Sequence, residues 1–184
     1  MKIDPKLAES ETRSWLVDVV VGLNLCPFAS KPHRAGAVRF ICSKATKEEV
    51  LLEDLQKELC LLAETPIDQI ETTLLIVPHF LHDFYEYNQF LEWVDRLLRR
   101  ENWEGVIQVA SFHPDYCFAG TEPEDAENLT NRAPYPTLHL IREDRLEEVL
   151  AKHPDSDQIP ETNIAKMNQL SPKDKQRLFP YLFG

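Results

Sequence analysis

The sequence predicts an α+β fold: a four-stranded mixed sheet with helices mainly on one face. Three observations predict it. Four apolar segments of strand length occur, at 37–42, 72–77, 105–112 and 136–142. Capped amphipathic segments with helical spacing separate the first three. The order is helix, β, helix, β, helix, β, β, helices, which gives two βαβ-like steps and an antiparallel return. A ferredoxin-like arrangement is compatible with this count of strands.

The elements follow in order. Asp4-Pro5 reads as an N-cap and a proline at the first helical position. Trp15, Leu16, Val19, Val20 and Leu23 then share one helical face, and the helix should stop before Pro27. Cys26 therefore falls on a turn just past a helix end. Ala37 to Cys42 alternates as a strand. Thr46 to Glu49 has the form of a capping box opening a helix whose apolar stripe is Leu51, Leu52, Leu55, Leu59 and Leu62. Thr72 to Val77 is a continuous apolar run and reads as a central strand. Phe84, Tyr87, Phe90, Leu91, Val94, Leu97 and Leu98 mark a third helix, and Gly105 to Phe112 a third strand. The stretch from His113 to Pro134 is irregular but rich in aromatic and Asn residues, as in an ordered functional loop. Pro136 limits the start of the fourth strand, which suggests an edge position. The tail reads as helical, with Ser171-Pro172 as a cap. A doubly wound fold would want a Gly-rich turn after the first strand, where Ser43-Lys44-Ala45-Thr46 stands instead.

Length and composition restrict the function. The 184 residues fit one domain, 1–184, large enough to bury a core unaided. A formal net charge of -11 argues against binding nucleic acid or anionic membranes, though not against a local cationic cleft. No apolar run approaches the length of a membrane span, and the N-terminus lacks the apolar core of a signal peptide. A cytoplasmic protein with its four cysteines reduced is the expectation.

The residues that can carry chemistry are few. Cys26 is either a small buried hydrophobe or a reactive thiol; its place after a helix C-terminus would raise rather than lower its pKa. His113 follows a strand end, where it can act as an acid or base, or cap the strand through backbone bonds. Asn131 and Arg132 precede the stiff Pro134-Tyr135-Pro136. Arg132 is either a fork for a carboxylate or phosphate, pairing with Asp125 or Glu143 when no ligand is bound, or part of a turn network. His139 and Arg39 interrupt apolar strands and would form a cationic patch if they shared one face. Cys26, His113, Cys117 and His139 are types that bind zinc, but their spacing is not that of a zinc site, and none is assigned to a metal. No nucleotide-binding or hydrolase motif occurs, so no cofactor is assigned.

Six motifs run along nearly the whole chain: GLNLCPFA (Gly22 to Ala29), TTLLIVP (Thr72 to Pro78), YNQFL (Tyr87 to Leu91), ASFHPDY (Ala110 to Tyr116), FAGT (Phe118 to Thr121) and TNRAPYPTLHLIRE (Thr130 to Glu143). In these the chain resembles a bacterial family of uncharacterised proteins, a domain of unknown function. The resemblance implies no activity. It implies that Cys26, His113, Asn131, Arg132 and His139 match motif positions, and that Cys117 departs from them where Gln is expected.

Two functions follow as expectations. One is an enzyme acting on a small anionic molecule, with Cys26 as nucleophile or redox thiol, His113 as acid or base, and Arg39, Asn131, Arg132 and His139 binding the anion. The other is a non-catalytic binder or regulator using the same pocket. The first requires Cys26 and His113 within hydrogen-bond reach beside an open pocket, the second only the Arg-Asn cluster, and Cys26, His113, Arg132 and His139 are expected to converge on one concavity.

Overall fold

A computed structural model describes residues 3–152 and 155–183. Residues 153 and 154, part of the expected helical tail, lie outside the described residues.

The N-terminal helix α1 (Pro5–Trp15) starts as its sequence requires, with the Asp4 carboxylate accepting the Lys6 N–H. It runs on into a π-helical turn, Leu16–Val21, in which the Gly22 N–H reaches back to the Val17 carbonyl. Such a turn inserts a residue into the helix and is frequent at functional sites. It also makes Gly22 obligatory, because a Cβ there would overlap the Asp18 carbonyl oxygen. Gly22→Ala is expected to lower stability by about 1–3 kcal/mol, as overpacking does; a urea midpoint unchanged from wild type would contradict this. After the turn come Cys26 and a short helix, α2 (Ser30–Ala35).

Four strands follow: β1 (Val38–Cys42), β2 (Thr72–Ile76), β3 (Ile107–Phe112) and β4 (Thr137–Arg142). They lie in the order β1-β2-β4-β3. β1 and β2 are parallel, and β4 runs antiparallel to both β2 and β3. The α+β class and the mixed four-stranded sheet are those expected. The chain order β-α-β-α-β-β is not the ferredoxin-like β-α-β-β-α-β. β4 is internal rather than at an edge, because Pro136 sits just outside the ladder and contributes only its carbonyl, to the Val77 N–H. β2 is buried along its whole length, as its unbroken apolar run predicted.

Helices cover both faces of the sheet rather than mainly one. On one face α3 (Glu48–Glu64) and α4 (Phe84–Arg100) pack Leu51, Leu55, Leu59, Phe90 and Val94 against Leu75, Leu138 and Leu140. On the other, α1, the π turn, α6 (Ile159–Gln169) and α7 (Pro172–Leu178) pack Trp15, Val19, Met167 and Leu178 against Phe40, Leu74 and Ile76. Alternation along each strand sends neighbouring side chains to opposite faces, so one apolar run feeds both cores. The expected capping box at Thr46 does not form: α3 begins at Glu48 after an uncapped Lys47. At its other end the Arg142 guanidinium takes the carbonyls of Leu62, Thr65 and Ile70. Asp83 and Ser171 do cap α4 and α7. Among the described residues no helix is long and apolar enough to cross a membrane.

Candidate functional site

The site is set by what the sheet does with His139. The register places Phe40, Leu74, His139 and Ala110 in one row across the sheet. That row faces α1 and the loop carrying Cys26. There His139 and Cys26 line a single cavity of about 250 Å³. Its floor is apolar, formed by Leu16, Phe28, Leu74 and Ile141. Lys31 from α2 and Arg145 and Lys152, on and just past α5 (Glu143–Leu150), stand at its edge with Glu71 and Glu148; Arg142 also lines it.

Cys26 and His139 are both neutral. The His139 Nε2 lies 2.6 Å from Thr72 Oγ1, whose own proton goes to the Leu140 carbonyl. The hydroxyl must therefore accept from Nε2–H, which leaves Nδ1 as the ring's acceptor. Burial pushes the imidazole down to about 4. Burial likewise pushes the Cys26 thiol up, against the smaller opposing effect of the Phe28 and Ala29 backbone. Since a depressed histidine lets the unfolded chain bind protons first, stability should be intact above about pH 6.5 and decline towards about pH 4. Urea midpoints at pH 7 and about pH 5.5, in wild type and His139→Gln, check this; an equal loss in both proteins would remove His139 from the account.

Cys26 also borders a second cavity, of about 450 Å³, between the 3₁₀ helix Ala126–Asn131 and α6. Asn131 lines it, while its side chain donates to the Ser111 carbonyl and accepts from Thr130. The Cys26 loop is held from α6: Asn163 donates to the Leu25 carbonyl and Lys166 to that of Asn24.

The other expected residues lie elsewhere. His113 is fully buried, packed against Phe84 and Tyr87 of α4. Its Nδ1 accepts the Asp115 N–H at 3.0 Å, so Nε2 donates to the Leu81 carbonyl at 3.1 Å. With both nitrogens engaged, it is a link between backbone segments and lines neither cavity beside Cys26. Arg39 points to the α3 face, opposite to His139, in a two-bond pair with Glu58 at 2.7 and 3.0 Å. No shared cationic patch results. Arg132 pairs with neither Asp125 nor Glu143; its guanidinium donates to the carbonyls of Tyr116 and Pro123. The convergence of Cys26, His113, Arg132 and His139 thus reduces to Cys26 and His139. Among the described residues no cluster of three or more His, Cys, Asp or Glu side chains is placed to hold a metal ion.

The family described as a protein of unknown function, DUF1415, matches residues 7–177. The chain belongs to the DUF1415 family. No curated protein and no solved structure matches it. In this DUF1415 chain, Lys31 and Arg145 were missed because nothing in a local pattern says that α2 and α5 flank one hollow. The only signal was their charge beside half-apolar segments in an acidic protein.

Proposed function

We propose that this protein binds a small anion in the cavity walled by Cys26 and His139, and that catalysis by the thiol is not its role. One observation supports the reading. Three cations, Lys31, Arg145 and Lys152, line the cavity against two carboxylates, Glu71 and Glu148, in a chain whose net charge is -11, while the Arg142 guanidinium is taken up by the carbonyls of Leu62, Thr65 and Ile70. A local reversal of sign in a hollow with a low-dielectric floor concentrates anions. Neutral His139 adds an acceptor at Nδ1 and orients rather than neutralises the ligand.

The reading is tested by thermal shift with phosphate, citrate, acetate and octanoate, each against a neutral or cationic analogue. A ligand at a hundred times its Kd adds about 2.7 kcal/mol. Anions alone should stabilise, less so in high salt; stabilisation by the cations instead would end the proposal.

The enzyme reading keeps one point in its favour, that a thiol and an imidazole share a wall. It needs a thiolate, however, and burial opposes one. Alkylation of Cys26 by iodoacetamide at neutral pH should run slower than that of free cysteine. A faster rate would restore Cys26 as a nucleophile.

A further inference from the structure

The helix α5 is amphipathic yet buries none of its own residues. Its half-buried side chains, Arg145, Leu146 and Val149, line the cavity. The hollow thus stands where this helix would otherwise find its packing partner. The opposite wall is also apolar, from Leu16, Phe28, Leu74 and Ile141. Arg145 keeps a buried Nε without an acceptor, although its Nη1 is paired with Glu148. Lys31 is exposed and lines the same cavity. Glu148 is already shared between Arg145 and Lys152, and so offers no further neutralisation. A buried donor without a partner is uncommon in folded proteins and calls for an acceptor.

We propose that the ligand is a small amphipathic carboxylate: an alkyl or aryl body lies between the sheet and α5, the head group lies on Arg145 and Lys31, and binding packs α5 against the body. This rests on the anion reading above and adds the chemical class. The volume of about 250 Å³ holds roughly eight water molecules, which suits a body the size of a short fatty acid or a single ring. A bare inorganic anion satisfies Arg145 but leaves Leu146 and Val149 unpacked.

The test uses octanoate, octanol, acetate and octylammonium as probes on the full chain. Calorimetry gives the affinity, and hydrogen exchange gives the protection of residues 143–150. Octanoate should bind and slow exchange in that segment. Octanol, acetate and octylammonium should each bind about tenfold more weakly or worse, having lost the head, the body or the sign of the charge. Arg145→Glu should weaken octanoate by about tenfold or more, and Arg145→Lys by less, because the charge survives but the planar fork does not. Lys31→Glu gives the same reading from α2 if the Arg145 variants misfold. Octanol equal to octanoate overturns the head-group assignment, and acetate equal to octanoate overturns the apolar body. Octanoate binding without slower exchange in 143–150 puts it at another site and overturns the proposal. Binding of phosphate or citrate but not octanoate removes this inference and leaves the anion reading; silence from every anion removes both.

Discussion

Replacing His113 with alanine should destabilise the protein by about 3–5 kcal/mol without altering ligand affinity in whatever folded fraction remains. Two costs add. The ring fills space against Phe84 and Tyr87, at centroid distances of 5.3 and 5.1 Å, in a site with no exposure. Truncation there leaves a cavity, and large-to-alanine changes in a core cost several kcal/mol. The Leu81 carbonyl and the Asp115 N–H also lose their partners, and the buried one, at Leu81, costs about 1–3 kcal/mol as an orphan. Leu81 is buried with φ +58, a left-handed conformation that leucine adopts only when its surroundings impose it. His113 is one of those constraints. His113→Asn should lose less, because an amide oxygen can still accept from Asp115. Burial also holds the His113 pKa below its ordinary value, so protonation favours the unfolded chain and its contribution, like that of His139, declines as pH falls. Denaturant titration of both variants decides the matter. If alanine and asparagine each leave the midpoint where it was, His113 is not the link described.

Asn128→Ala should cost about 2–4 kcal/mol and loosen the segment between β3 and β4. Asn128 is fully buried and has three short bonds inside that segment. Its oxygen accepts from the Phe118 N–H and the Thr121 hydroxyl, and its amide donates to the Glu122 carbonyl. Alanine removes all three bonds at once from a position with no exposure and leaves a cavity where the amide was, so their costs add. Arg132 draws the same segment together through Tyr116 and Pro123. Asn128→Asp separates shape from chemistry: it keeps the acceptor, loses the donor and adds a charge, so it should be no better than alanine. Proteolysis within 117–131, followed over time alongside the urea midpoint, checks the local effect. A variant as resistant as wild type would mean that Arg132 and backbone contacts suffice.

These two residues show why the site was harder to read than the fold. Strands follow from apolar runs and helices from caps, and both signals are local: β2 is buried from end to end, and Asp4, Asp83 and Ser171 cap the helices they precede. The strand order was not local. Nothing near Pro136 says that β4 enters between β2 and β3, or that helices close both faces. A polar residue in a motif has two uses, to bind something or to satisfy the backbone, and type and spacing are the same for both. His113, Arg132 and Asn131 bond chiefly to main-chain groups brought near by folding, and Arg39 is taken up by Glu58. Cys26 and His139 reached one hollow because strand parity turned His139 towards the α1 side. Arg145 and Lys31 could be recognised only once α5 and α2 were placed around that hollow.

The insertion of β4 has a consequence for the order in which the chain can assemble. β1, α3 and β2 form a continuous unit that can pair as soon as residue 76 is available. β3 has no such opportunity, because among the described residues its sole ladder partner is β4, which begins thirty residues after β3 does, at Thr137. Until then a growing or truncated chain presents two open edges that the folded sheet covers, that of β2 and the side of β3 that β4 will occupy, each a row of unpaired amides able to join another chain. Synthesis through residue 142 closes them in a single event, since β4 pairs with both neighbours. Ribosome-bound intermediates between those points are therefore the species most exposed to aggregation, and expression yield should depend on how quickly translation passes through that stretch.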